Sequence, residues 1–282
     1  MSHAPRPPRS HAMLSRWVDA YAKRSGQDPV RVRRWISFMA LGGALEKAGY
    51  AGEGPRFSVK GGVALELRFP GRARATKDLD LVLNHPDDDP IEALDAALGG
   101  ECEGFTFRRR GEAEELPAGA VRVDVSVRYG GKGWARIQVD LARRETPSPE
   151  VEMVDGLDLS FFRFDFPARV PCLSIHAQAA QKIHGLTLPS RADRRNDRFK
   201  DLVDLLLLRE LITDFDRLRA ACEHLFAARA AHGWPPRIEA HAHWNAPFAR
   251  MAREIGLPIV DLDEAVGAAR EFLGRIDPRA AA

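Results

Sequence analysis

Apolar residues recur at helical spacing in the first fifty residues of the chain. Residues 13–25 and 30–48 each carry an apolar stripe that returns every three or four positions, and residues 90–98 carry a shorter one. The glycine-rich stretch Tyr129–Gly133 predicts a hairpin turn. Three segments alternate between apolar and polar residues, as strands do, and they cover residues 105–107, 121–127 and 135–141. From Ser174, a candidate helix N-cap, the spacing is helical to the end of the chain.

The distribution of these elements predicts two lobes. Strands cluster among helices in the first half of the chain, and the second half is helical, so we expect an α+β lobe followed by a helical lobe. A border near Arg169–Pro171 gives lobes over residues 13–170 and 171–282. Residues 1–12 hold prolines and arginines without an apolar core, and we expect them to form a disordered tail rather than a signal peptide.

The candidate chemistry begins at Lys60-Gly61-Gly62, which lies between a predicted strand over residues 57–59 and a short predicted helix. A strand follows at residues 78–83, and its period of two places Asp78 and Asp80 on one face. Two neighbouring carboxylates repel each other unless a cation joins them, and Mg²⁺ is bound by one or two carboxylates together with substrate phosphates. The glycines would let a phosphate approach the backbone at a helix N-terminus. The alternative is a surface turn followed by two solvated aspartates.

A third carboxylate on a neighbouring strand would complete a two-metal site and could help to deprotonate an attacking hydroxyl. Asp140 is our preferred candidate because it lies on the polar face of the strand that follows the hairpin. Asp124, one strand earlier, is the rival candidate for the third carboxylate. Alternatively, Asp140 is simply a solvent-facing strand residue.

Composition and charge limit the partners and the cellular location that we expect for this protein. The net charge is only +2, so a nucleic-acid role must rest on local basic patches. The three cysteines are isolated and lack CxxC spacing, which favours neither a zinc site nor a disulfide framework and makes a reducing cytoplasm the expected location. No apolar run approaches the ~18 residues that cross a bilayer.

The helical half holds a second set of charged candidates. Lys182 lies beside apolar positions and is either a surface lysine or a cation for a triphosphate. Asp201 and Asp204 are three apart and share a helix face, where a surface ion pair is the alternative. A neighbouring basic stretch could contact RNA phosphates or the triphosphate, or be a solvated loop, and its arginines are Arg191, Arg194, Arg195 and Arg198.

The first motif resembles that of the nucleotidyltransferase superfamily that includes DNA polymerase beta. The ordered set of motifs, from Lys60-Gly61-Gly62 through Gln178, Lys182 and His184 to Asp201-Leu-Val-Asp-Leu205, resembles the AbiEii/AbiGii nucleotidyltransferase toxins. Within that group the chain is most similar to the mycobacterial nucleotidyltransferase toxins, over roughly residues 60–276.

The resemblance implies a polymerase beta-like nucleotidyltransferase lobe with a helical C-terminal lobe. It implies a toxin, linked to phage defence and paired with an antitoxin, that moves a nucleoside monophosphate from an NTP to an acceptor, with the 3′ end of tRNA expected and translation blocked. The metal is Mg²⁺, held by Asp78, Asp80 and Asp140, and the catalytic set adds Lys182 and Asp201. The implied nucleotide-binding residues are Lys60, Gly61, Gly62, Thr76, Lys182 and Asp204. A small-molecule or protein nucleotidyltransferase and a catalytically silent nucleotide-binding partner protein stay open as alternatives.

Overall fold

The computed structural model describes residues 6–51, 54–85, 87–116, 119–144, 151–190 and 195–281. The chain divides into two compact units. The first unit comprises residues 1–70, 75–144 and 153–172, and the second comprises residues 71–74, 145–152 and 173–282. Among the described residues, every helix is too short or too polar to span a bilayer.

The first unit combines four α-helices with a large sheet, within the described part of the chain. Capping residues set the helix starts: Ser10 Oγ accepts from the Met13 amide, and Asp28 and Asp89 cap helices whose first residue is proline. The helices are α1 (His11–Ser25), α2 (Pro29–Lys47), α3 (Gly61–Arg68) and α4 (Pro90–Leu98). The strands are β1 (Tyr50–Ala51), β2 (Gly54–Pro55), β3 (Phe57–Lys60), β4 (Asp78–Leu83), β5 (Glu101–Cys102), β6 (Phe105–Glu115), β7 (Val121–Tyr129), β8 (Lys132–Arg143), β9 (Val151–Asp155) and β10 (Arg169–Leu173).

Eight strands form one sheet in the order β5-β6-β7-β8-β4-β3-β10-β9. The strands from β5 to β8 pair antiparallel, β4 runs parallel to β8, and β3 runs antiparallel to β4. Leu79, Leu81, Val123, Val125 and Val139 are almost fully buried and belong to one core together with apolar residues of α1, α2 and α4. Polar residues occupy the opposite face of β6, β7 and β8, so the period-two patterns predicted for β7 and β8 are confirmed.

Strand β6 extends to Glu115, well beyond the predicted segment at residues 105–107. Its outer part holds charged residues in succession, which conceals the alternation that identifies a half-buried strand. This part pairs with β7 alone, because β5 reaches only Thr106, and charged side chains are usual on such an edge.

The second unit is built from helices around α6. Its helices are α5 (Ile175–Leu186), α6 (Phe199–Leu208), α7 (Phe215–Arg229), α8 (Asn245–Glu254) and α9 (Leu262–Ile276). Every residue of α6 from Asp201 to Leu208 is buried, and α5, α8 and α9 pack around it. The predicted cap at Ser174 is confirmed, since its hydroxyl accepts from the Ala177 amide. Residues 230–241 are not helical, because Gly233, Pro235 and Pro236 interrupt the spacing.

Candidate active site

The turn from β3 into α3 lies against the carboxylate of Asp80. Gly61, the first residue of α3, has φ of +63°, and a Cβ atom there would lie 1.9 Å from Asp80 Oδ2. A Cβ atom on Gly62 would lie 2.7 Å from the Thr76 Cβ. Both positions therefore exclude side chains. At Gly61 the backbone conformation and the lack of space both exclude one, and at Gly62 the lack of space alone does so.

The register of the sheet brings the three predicted carboxylates to adjacent positions. Asp80 on β4 is the direct partner of Asp140 on β8, and Asp78 is the partner of Gln138. Paired positions on adjacent strands lie ~4.8 Å apart. Leu79 and Leu81 fill the opposite, buried face of β4, which fixes Asp78 and Asp80 on the other face.

Asp124, the rival third carboxylate, lies farther from β4. It pairs with Gln138 across β7 and β8, so one strand separates it from Asp78. Its carboxylate forms an ion pair with Arg136, and the hydrogen bond from that guanidinium holds the pKa of Asp124 below its usual value. The geometry therefore favours Asp140 as the third carboxylate.

Sequence reasoning missed Arg122, which binds Asp140 through both carboxylate oxygens. Arg122 Nε lies 2.8 Å from Asp140 Oδ1, and Nη2 lies 2.7 Å from Oδ2. These hydrogen bonds raise the pKa of Arg122 above its ordinary value, so this arginine is a permanent cation. The hairpin gave only a partial signal, because its tight turn pairs Tyr129 with Lys132 and the register shift between Val127 and Arg128 is what brings Arg122 opposite Asp140.

Two further predicted nucleotide-binding residues surround the same turn. Thr76 is buried, and its hydroxyl donates to the Asp78 carbonyl at 3.2 Å. Its side chain also faces Gly62, so it supports both the glycine turn and the start of β4. Lys60 is half-buried at the end of β3 and is the register partner of Asp80. The structure thus gathers Lys60, Gly61, Gly62, Thr76, Asp78, Asp80 and Asp140 on the first unit.

The second unit brings Lys182 between two buried carboxylates. Lys182 Nζ on α5 lies 2.9 Å from Asp201 Oδ1 and 2.8 Å from Asp204 Oδ2, both on α6. Asp204 is fully buried, and Lys182 is 12% exposed. Burial opposes the charge of this lysine, but the two aspartates outweigh burial and raise its pKa above the ordinary value. Lys182 is therefore a stable cation and is not suited to act as a base.

Arg74, a second residue that sequence reasoning missed, completes this cluster. Its Nε and Nη2 lie 2.9 and 3.0 Å from the two oxygens of Asp204. Burial disfavours the charge of Asp204, but Lys182 and Arg74 together hold the pKa of this carboxyl below its usual range. Arg74 comes from the short segment 71–74, where no periodic pattern indicated a role.

The predicted RNA-binding arginines divide into two groups. Arg191 and Arg194 lie outside the described residues. Arg195 and Arg198 are exposed, and each has a carboxylate 3.5 Å away, Asp197 for Arg195 and Asp201 for Arg198.

Comparisons with known proteins agree with the resemblance seen in the motifs. A sequence model of the nucleotidyl transferase AbiEii toxin family, type IV toxin–antitoxin system, matches residues 44–269. The solved structure of MenT4, a nucleotidyltransferase toxin from Mycobacterium tuberculosis H37Rv, superposes with a TM-score of 0.57 at 17% identity, covering 96% of this chain and 98% of that chain. This likeness shows a shared fold and confirms the predicted nucleotidyltransferase fold class.

Weaker structural matches include the antibiotic-resistance factor ANT(2'')-Ia, with a TM-score of 0.39 at 16% identity, covering 71% of this chain and 93% of that chain. An antigenic nucleotidyltransferase-like protein from Paracoccidioides brasiliensis matches with a TM-score of 0.38 at 17% identity, covering 62% of this chain and 80% of that chain. No curated protein matches the chain in a sequence search.

Proposed function

Because the chain belongs to the AbiEii nucleotidyltransferase toxin family and is therefore a nucleotidyltransferase, we propose that it transfers a nucleoside monophosphate from an NTP to the 3′ end of tRNA with Mg²⁺. The observation that carries this proposal is the register pairing of Asp80 with Asp140 beside the Gly61 turn. A tRNA whose 3′ end carries an added nucleotide cannot be aminoacylated, and translation would stop.

The donor set fits Mg²⁺ in chemical type. Asp78, Asp80 and Asp140 present carboxylate oxygens from one face of two adjacent strands, and Mg²⁺ prefers oxygen ligands. Across the described residues, no group of three or more acidic, histidine or cysteine side chains is arranged to hold a metal ion. Mg²⁺ usually keeps waters and takes one or two carboxylates plus substrate phosphates. When bound there, the ion would neutralise phosphate charge as the leaving group departs.

We assign each residue of the first unit a role in one displacement at the α-phosphorus. The acceptor hydroxyl oxygen forms a bond to the α-phosphorus, the bond from phosphorus to the bridging oxygen breaks, and pyrophosphate leaves with that electron pair. Asp78 and Asp80 would hold the metal, and Gly61 and Gly62 would let the phosphates approach the start of α3. Asp140 would complete the metal site or take the hydroxyl proton, and the two hydrogen bonds from Arg122 occupy one lone pair on each of its oxygens, which leaves the second lone pairs for either role.

We propose that Lys182, as a permanent cation, binds the triphosphate of the NTP. Asp201 would position the lysine, because its Oδ1 accepts from Lys182 Nζ while Asp204 is engaged by Arg74. A cognate antitoxin is the expected partner, since the family is that of type IV toxin–antitoxin systems. A role in phage defence would follow if the pair controls translation in infected cells.

The direct test incubates the purified protein with each of the four labelled NTPs, Mg²⁺ and total tRNA. Wild-type protein should label tRNA, and Asp80→Asn should abolish the label with its melting temperature retained, because the substitution removes charge without changing shape. Labelling of a small molecule or a protein in a cell extract, with no labelled RNA, would contradict the proposed acceptor. An Asp80→Asn variant as active as wild type would contradict the proposed metal site.

A further inference from the structure

The polar face of the sheet that carries the three carboxylates continues outward across β8, β7 and β6. Successive register partners form a row from Asp78 through Gln138 and Asp124 to Arg110. In the next row toward the hairpin end, Arg136, Ser126 and Arg108 are partners. In the row after that, Arg128 is the partner of Thr106. We call Arg108, Arg110, Arg128 and Arg136 the arginine face.

The arginine face is exposed and strongly cationic. All four of its arginines are exposed, whereas Val125, Val127 and Ile137 fill the opposite face of the same strands. Asp124 is the one acidic residue among these rows apart from Asp78, and it pairs with Arg136. Arg108 and Arg110 are both exposed, and Arg110 is also the register partner of Asp124, whose pKa it helps to lower.

The arginine face gives way to acidic residues farther along β6. Past the irregularity between Arg110 and Glu114, β6 becomes acidic with Glu112, Glu114 and Glu115. The whole chain carries a net charge of only +2, so the arginine face is a local concentration within a nearly balanced protein. A local cationic surface next to a catalytic centre attracts a polyanionic substrate rather than proteins in general.

We propose that the arginine face binds the phosphate backbone of the acceptor RNA, an inference that rests on the proposed transfer to RNA. Guanidinium groups match phosphate oxygens in a bidentate geometry that lysine cannot reproduce. Three strand spacings of ~4.8 Å place Arg110 ~14 Å across the sheet from Asp78. At roughly 3.4 Å of rise per nucleotide, as in a B-form strand, that distance corresponds to on the order of four nucleotides from the reacting end.

The test compares two double variants of equal charge change. Arg108→Gln/Arg110→Gln removes two positive charges from the arginine face, and the control Arg16→Gln/Lys23→Gln removes two from exposed positions of α1 in the same unit. Affinity for total tRNA is measured across a salt series, with NTP affinity and melting temperature on the same samples.

The arginine-face variant should flatten the slope of log affinity against log salt by about 1.4–1.8, which weakens tRNA binding about 25- to 60-fold at 0.1 M salt. Its NTP affinity and melting temperature should match wild type, and the control should keep the wild-type slope. Equal slopes in the two double variants would overturn the inference. Wild-type protein that neither binds nor labels tRNA would overturn the proposed function, and this inference with it.

A second readout does not depend on affinity. The three native cysteines are free and buried, so a photo-reactive maleimide would label a new surface cysteine selectively. Labelled Arg108→Cys should cross-link to tRNA on irradiation, and labelled Arg16→Cys should not. Cross-linking from Arg16→Cys alone, or equally from both positions, would place the RNA elsewhere and contradict the proposal.

Discussion

Replacing Gly61 with alanine tests the geometry that joins the glycine turn to the carboxylates. The new Cβ atom would lie 1.9 Å from Asp80 Oδ2, whereas real Cβ contacts stay beyond 3.0 Å, so the carboxylate must move by about 1 Å. A misplacement of that size in a catalytic group costs about 100-fold in rate. The left-handed backbone at Gly61 adds roughly 1–2 kcal/mol of strain to the folded protein.

Gly26 supplies a matched control for the backbone strain. Its φ is +69°, and a Cβ atom there meets nothing within 4 Å. Gly26→Ala should therefore lower the free energy of unfolding by a similar ~1–2 kcal/mol while leaving nucleotide transfer unchanged. Both variants are compared by urea unfolding, by transfer rate, and by Mn²⁺ binding followed by electron paramagnetic resonance.

Gly61→Ala should lose Mn²⁺ affinity and about two orders of magnitude in rate relative to Gly26→Ala. If the two variants transfer nucleotide at rates within a factor of two of each other, the position of Asp80 against the turn is not what supports the chemistry. The proposed role of the Gly61 turn would then be refuted.

The buried cluster of the second unit supports three further predictions. Arg74→Ala leaves the fully buried Asp204 with Lys182 as its remaining charged partner and should cost about 3–5 kcal/mol in urea unfolding, whereas Arg72→Ala, in the exposed pair with Glu210, should change stability little. Lys182→Ala should abolish NTP binding and lower stability, whereas Lys182→Arg should restore stability more than NTP binding. Calorimetry and thermal melting on the same samples measure the two effects. Unchanged NTP binding in Lys182→Ala would make the lysine purely structural. Because folding lowers the pKa of Asp204, the ionised carboxylate contributes its full stabilisation of the folded protein above the unfolded pKa of ~3.9. That stabilisation is lost as pH falls through the folded pKa. Wild type should therefore lose more stability than Asp204→Asn on acidification below about pH 4.

Structural features that depend on residues close together in the chain could be predicted from the sequence. The strand, glycine turn, helix and second strand around Gly61 and Asp78 could be predicted because each follows from local spacing. The cap at Ser174 and the hairpin between β7 and β8 have local signals of the same kind. The family resemblance added the order of the motifs, and the match to the AbiEii family model confirms that resemblance.

Features that depend on pairing between distant segments could not be predicted in this way. Arg74 binds Asp204 across 130 positions of the chain, and no spacing rule connects the two. The parallel pairing of β10 with β3 joins a segment late in the chain to the sheet, and the short apolar sequence of β10 carried no information about its partner. The pairing of Arg122 with Asp140 depends on the register shift between Val127 and Arg128, which no local pattern in the sequence indicates.

Labelling at two positions of the same NTP tests the central claim most directly. Wild-type protein is incubated with tRNA, Mg²⁺ and the NTP that it uses, carrying either an α-phosphate or a γ-phosphate label, and the RNA and the released products are separated. Displacement at the α-phosphorus predicts that the α label enters the tRNA 3′ end and that the γ label leaves in pyrophosphate, with neither event in Asp80→Asn. Entry of the γ label into RNA, or release of the γ label as free phosphate without labelled RNA, would contradict nucleotide transfer by these carboxylates.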